Sequence, residues 1–210
     1  MAVYTLYVTA KRFKLVNQGF QRHKFLRTYV CLELVTVDHK DQVWVTSTNH
    51  YVQQFTADGR FLQRVGGKGA EAGQLNEPHG IWVDTRGADP VLVVADRRNN
   101  RLQRFTLDGK HIDFVQGFRL PCHFDQQNGT VVIPDLQGRV TLIGRDNQVI
   151  THLGDSNPAN WNNPLRTQPR EAFVPGQFIC PHGACFDHEG NIFVVEWVEV
   201  GRVTKLRKVA

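Results

Sequence analysis

Nine histidines occur in the 210 residues, and three of them share a sequence context. His79 stands in Pro78-His79-Gly80, His182 in Pro181-His182-Gly183, and His123 in Pro121-Cys122-His123. Imidazoles are ligands that are neutral at pH 7, and three of them around an open fourth position form the donor set of a catalytic zinc. The same context has an architectural reading. Proline stiffens a strand entry and glycine admits a turn, so a histidine there can instead hydrogen-bond a neighbouring carbonyl. At the middle copy, either Cys122 or His123 can take the inward position. Arg97 follows the apolar run Val91 to Ala95. Its guanidinium there suits bidentate recognition of a carboxylate or a salt bridge to Asp96 or Asp135. Glu196, before Trp197, can serve as a base or a partner of a metal-bound histidine, or simply cap a turn. Cys31, Cys122, Cys180 and Cys185 form no CxxC pair, which argues against a thiolate zinc. Cys31, Cys122 and Cys185 read as small core residues.

These side chains can meet only if a repeat brings them together. Three segments align, starting at Val35, Pro78 and Pro181, with a weaker copy from Leu120 to Asp155. In the three clear segments a short apolar strand ends in Asp (Asp38, Asp84, Asp187), then a turn, then a β-branched strand such as Val91-Leu92-Val93-Val94. An alternating strand follows in the second segment, Arg101 to Phe105, and Asp58-Gly59 and Asp108-Gly109 give type I′-like turn signals before a fourth strand. Four short antiparallel strands about every forty residues mark the blade of a β-propeller. Helical periodicity is nearly absent, with at most one turn at Arg166 to Phe173. In a propeller the innermost strand of each blade lines the central channel, so His79, His123 and His182 converge on one axis.

The rest of the composition is ordinary for a globular domain. Hydrophobic residues make up 41%, aromatics 10% and charged residues 21%, which excludes collagen-like, disulfide-framework and disordered classes. No apolar run reaches the length of a membrane span, and the opening residues do not read as a signal peptide. A soluble chain is expected, with its localisation left open. The net charge of +5 permits acidic partners without requiring them. Beyond Arg202, Lys205, Arg207 and Lys208 there is no basic stripe of the kind RNA binding needs. In that tail the cations alternate with Val203 and Leu206, as in an edge strand with a polar outer face.

Residues Val43 to Asp84 and Val93 to Lys110 resemble NHL repeats, and the likeness runs over residues 35–210. The resemblance implies an all-β fold, an NHL-type β-propeller of four-stranded antiparallel blades. About four blades are recognisable here, and six are usual in that class. Residues 1–34 are expected to form a degenerate or partial N-terminal blade. The first clear blade lacks its Pro-His-Gly lead-in, with Leu32-Glu33-Leu34 in that place, which favours an N-terminally truncated propeller.

Within the class, Glu77-Pro78-His79-Gly80, Val94 to Arg97, Asn100 to Gln103 and Cys180-Pro181-His182 resemble segments of the peptidyl-α-hydroxyglycine α-amidating lyase domain. That resemblance implies zinc held by His79 and His182, and Arg97 in the active site orienting the substrate's carboxylate. The reaction implied is cleavage of a carbinolamide to a peptide amide and glyoxylate. His123 is carried as a further metal candidate from its place in the repeat. The chain also departs from the family. Gly183 replaces an aspartate, Cys180 replaces a methionine, the third zinc histidine belongs to a blade further upstream that the chain either lacks or has lost at Glu33, and Tyr51 stands out of register with the active-site tyrosine. The site is therefore expected to be only partly retained. The ligand is expected in the central channel, as a small molecule or peptide. The alternative is a non-catalytic scaffold that binds a protein on one propeller face. Residues Asp155 to Phe178, with four prolines, are too long for a blade connection and are expected to lie over the channel as a lid.

Overall fold

The computed structural model describes residues 5–9, 12–16, 32–156 and 164–209. Strands β1 (Thr5–Thr9) and β2 (Arg12–Val16) pair antiparallel. Four antiparallel sheets follow in chain order. The first holds β3 (Leu32–Val37), β4 (Val43–Ser47), β5 (Tyr51–Phe55) and β6 (Phe61–Gly66). The second holds β7 (Pro78–Asp84), β8 (Val91–Asp96), β9 (Arg101–Phe105) and β10 (His111–Val115). The third holds β11 (Asp125–Gln127), β12 (Thr130–Asp135), β13 (Arg139–Ile143) and β14 (Val149–Leu153). The fourth is described over β15 (Pro181–Phe186), β16 (Ile192–Glu196) and β17 (Arg202–Leu206). The architecture is that of an all-β propeller.

The second and third sheets are buried on both faces, and this is why their second strands are continuously apolar rather than alternating. In β8, Leu92 and Val94 pack toward the first sheet with Trp44, Val52, Ile81 and Phe105. Val93 and Ala95, one residue out of phase, pack toward the third sheet with Phe124, Val131, Ile133 and Ile143. Period-two geometry sends neighbours to opposite faces, so one strand serves two cores. A third cluster joins Val132 and Val140 to Ala184, Ile192 and Val194 of the last sheet.

The recurrent aspartates close the first turn of a blade. Asp38 Oδ1 accepts from the main-chain N–H of Lys40 and Gln42 at 2.9 and 3.0 Å, and Asp187 Oδ1 does the same for Glu189 and Asn191. A second set of carboxylates holds the far end of the blade. Asp96, Asp135 and Glu196 each accept from an arginine on the next strand, Arg101, Arg139 and Arg202. Glu196 also accepts from the N–H of Ile179 at 2.6 Å and Cys180 at 3.3 Å. Its structural role is thus to tie β16 to the chain entering β15.

Several sequence expectations change in detail. The Asp58-Gly59 and Asp108-Gly109 turns place only glycine at positive φ, +88° and +86°. With Gly59 N–H bonded to the Thr56 carbonyl and Gly109 N–H to that of Thr106, these are type I turns followed by a left-handed glycine. A type I′ turn needs positive φ at both central residues. Cys185 is exposed rather than a core residue, whereas Cys122 and Cys180 are buried; Cys31 lies outside the described residues. In β17, Val203 is exposed with Lys205, while Arg202 turns in to Glu196 and Leu206 packs on the third core cluster. The single helical turn expected at Arg166 to Phe173 is two short 3₁₀ turns, Pro164–Thr167 and Arg170–Ala172.

Candidate metal centre

Four inner strand entries share one register. The pairs Leu32 with Ser47, Pro78 with Asp96, Pro121 with Asp135 and Pro181 with Glu196 open the sheets from the inside. In the first, second and fourth sheets the pairing then slips, so the next residue is freed from the ladder. That residue is Glu33, His79 or His182; in the third sheet Cys122 holds the same position, with its N–H bonded to the Pro134 carbonyl at 3.0 Å. Proline suits the preceding position because it fixes φ, and Glu77 and Leu120, before Pro78 and Pro121, take positive φ of 53°. Gly80 is required for contact between blades. A Cβ there would stand 2.8 Å from the Cys122 carbonyl oxygen and 2.9 Å from Phe124.

The geometry brings His79 and His182 together and separates His123 from them. The two imidazole rings meet edge to face with centroids 4.8 Å apart. Ligand atoms of His79, Cys122 and His182 all lie within 4.8 Å of one another. His79 faces the Cys122 carbonyl oxygen with Nδ1 at 2.8 Å. A carbonyl only accepts, so Nδ1 carries the proton and Nε2 is left with its lone pair. Nε2 lies 3.4 Å from Glu33 Oε2. Burial pushes the His79 pKa down to about 4, and the nearby Arg97 charge adds to the effect. His182 is also pushed down to about 4, by burial and then by His79 and Arg97. Both rings are therefore neutral at pH 7, the state a metal requires. Burial pushes the Cys122 thiol up to about 12, and its Sγ donates to the Leu120 carbonyl at 3.3 Å. The donor set fits zinc: two unprotonated imidazoles, one already oriented by a main-chain carbonyl. His123 points elsewhere. Its Nδ1 faces the Ala184 carbonyl at 3.2 Å, across to the next sheet, so Cys122 takes the axial register.

Arg97 lies just beyond β8, its side chain only 12% exposed. It pairs with Glu77, not with Asp96 or Asp135, because those two carboxylates are taken by Arg101 and Arg139. Arg98 pairs with the other Glu77 oxygen at 2.7 Å. The buried Nε of Arg97 has no hydrogen-bond partner among the described residues. Part of the 155–178 stretch reaches the same region. Arg166 lies over the Trp197 ring at 3.4 Å, and Trp197, half exposed, meets His182 at 6.0 Å between ring centroids. Sequence reasoning marked Glu33 only as the place where a zinc histidine is lost, not as a neighbour of His79, and it did not foresee Trp197 beside His182.

Propeller sheets with ionisable side chains gathered on the axis define the class of fold. No protein-family profile matches the chain. Among solved structures the chain is similar to a catalytically inactive histidine-to-alanine variant of virginiamycin B lyase from Staphylococcus aureus with quinupristin. The TM-score is 0.56 at 16% identity, over 85% of this chain and 56% of that one. A streptogramin B lyase structure aligns with TM-score 0.55 and 11% identity, over 95% of this chain and 59% of that one. A protein of unknown function from Bacteroides caccae aligns with TM-score 0.56 and 11% identity, over 84% and 63%. The chain thus spans between 56% and 63% of the length of these neighbours. At such identities the likeness establishes the β-propeller fold.

Proposed function

We propose that this chain is a lyase-type propeller of the NHL class, similar to the peptidyl-α-hydroxyglycine α-amidating lyase domain. Its axial site holds zinc through His79 and His182 and takes a small or peptide ligand that ends in a carboxylate. The observation that carries the reading is the meeting of two neutral imidazoles from separate blades, 4.8 Å apart between ring centroids, with the half-buried Arg97 nearby. The lyase neighbours support it at the level of fold.

A bound zinc supplies Lewis acidity to a substrate oxygen. The protein's own residues do the remainder. The Cys122 carbonyl fixes the His79 tautomer, and Arg97 offers a partly unpaired guanidinium to the carboxylate. Trp197 walls His182 on a half-exposed face through which a ligand enters. Glu77, bridging Arg97 and Arg98, sets the direction of the guanidinium.

Elemental analysis of the zinc-loaded and desalted full chain, beside the His79→Ala/His182→Ala double variant, tests this reading. About one zinc per wild-type chain and none in the variant is the expected result, followed by glyoxylate release from a peptidyl-α-hydroxyglycine. A folded wild type that retains no zinc ends the reading and leaves a binding scaffold in its place.

A further inference from the structure

We propose that Glu33 is the third metal ligand, making the axial centre a two-histidine, one-carboxylate site built from β3, β7 and β15. The inference rests on the reading that His79 and His182 hold a metal, and it concerns what completes the set.

Glu33 occupies in β3 the register that His79 and His182 occupy in β7 and β15, one residue beyond the innermost pair. Its carboxylate meets the face of His79 that remains available. With the proton of His79 on Nδ1, engaged by the Cys122 carbonyl, Nε2 directs a lone pair at Glu33 Oε2, 3.4 Å away. Neither atom is a donor, so this contact is not a hydrogen bond, and a cation between the two removes the mismatch. The spacing also fits. With zinc–nitrogen and zinc–oxygen bonds of about 2.0–2.2 Å at a tetrahedral angle, the nitrogen and oxygen stand about 3.4 Å apart. Among the described residues the Glu33 carboxylate has no other ionic or hydrogen-bonding partner.

Cys122 is the competing donor, since its sulfur lies within 4.8 Å of both histidine ligand atoms. Its groups are otherwise engaged: the thiol donates to Leu120, and the carbonyl holds His79 Nδ1. Its role is to orient His79 rather than to bind metal. Three protein ligands then leave a fourth position open, which distinguishes a catalytic centre from a closed structural one.

Cobalt(II) titration of the full chain, read by its visible and near-ultraviolet spectrum, separates the possibilities. Wild type is expected to bind about one Co(II) with visible ligand-field bands and no thiolate-to-cobalt charge-transfer band. Glu33→Gln should weaken Co(II) and Zn(II) by roughly a hundredfold or more, beyond the loss typical of an outer partner. Glu33→His should restore tight binding, which shows that the loss reflects a missing ligand and not a damaged fold. Wild-type affinity in Glu33→Gln, or a charge-transfer band abolished by Cys122→Ser, overturns the assignment while leaving a histidine-held metal standing. A folded wild type that binds neither metal overturns the histidine reading itself.

Discussion

Acid should weaken the fold through His79, and the size of the effect follows from its burial. In the unfolded chain the imidazole titrates near 6.5; in the fold it is pushed down to about 4, chiefly by burial and further by Arg97. Between those values the unfolded state binds more protons than the folded state. The stability is therefore complete above pH 6.5 and drains as the pH falls toward 4, by about 3 kcal/mol for this group. His79→Gln keeps a donor for the Cys122 carbonyl and removes the titration. Urea unfolding of the metal-free full chain, with chelator present, is to be followed by tryptophan fluorescence at pH 7 and pH 4. The stability difference between wild type and variant should move by about 3 kcal/mol in the variant's favour on going to pH 4. Asp135 works in the opposite direction, because burial raises it from 3.8 to about 6 and its contribution grows as the pH falls through 6. It is common to both proteins and cancels in the difference. Parallel pH profiles for the two proteins would refute the claim that His79 is held neutral by burial.

Three further outcomes are expected, each from urea unfolding at pH 7. Phe105, fully buried in the cluster between the first and second sheets, should cost about 3–5 kcal/mol when replaced by alanine; a loss under 1 kcal/mol would mean that the cluster does not hold those blades together. Asp96 is fully buried and accepts from the Asn76 N–H, Asn99, Arg101 and Gln103 at 2.7–2.9 Å. Asp96→Asn leaves Arg101 without its counter-charge and should cost about 3–5 kcal/mol, so an unchanged midpoint would count against that role. Gly80→Ala drives a Cβ to 2.8 Å from the Cys122 carbonyl oxygen, which should destabilise by about 1–3 kcal/mol and weaken metal binding with it. Wild-type behaviour in both measurements would show that the strand entry adapts.

The architecture was legible because its signals are local. An apolar strand closed by Asp38, Asp84 or Asp187, a β-branched partner and an Asp-Gly turn each fix a few neighbouring residues, and their repetition about every forty residues leaves a propeller as the consistent packing. The pairing of His79 with His182 could be anticipated for the same reason, since both sit in copies of one motif. The hairpin turns were read less well. Asp-Gly is compatible with two turn types, and the bulged strand ends at Phe55 and His111 select between them.

Composition and repeat grammar alone determined the fold class, the strand order and which segments furnish the inner strands. Register across blades was decided only by tertiary structure. Cys122 and His123 are adjacent in sequence, and a one-residue difference sends a side chain to the opposite face of a strand. The bridge from Pro121 to Asp135 settles it, placing Cys122 on the axis and His123 against Ala184. The partners of Arg97 were likewise beyond the sequence. Asp96 and Asp135 were the expected carboxylates, but the arginines on the adjacent strands claim them first, leaving Glu77. Glu33 was marked by the sequence only as the place of a lost lead-in histidine. It reaches the histidines because β3 repeats the strand entry without the proline and histidine that would have marked it.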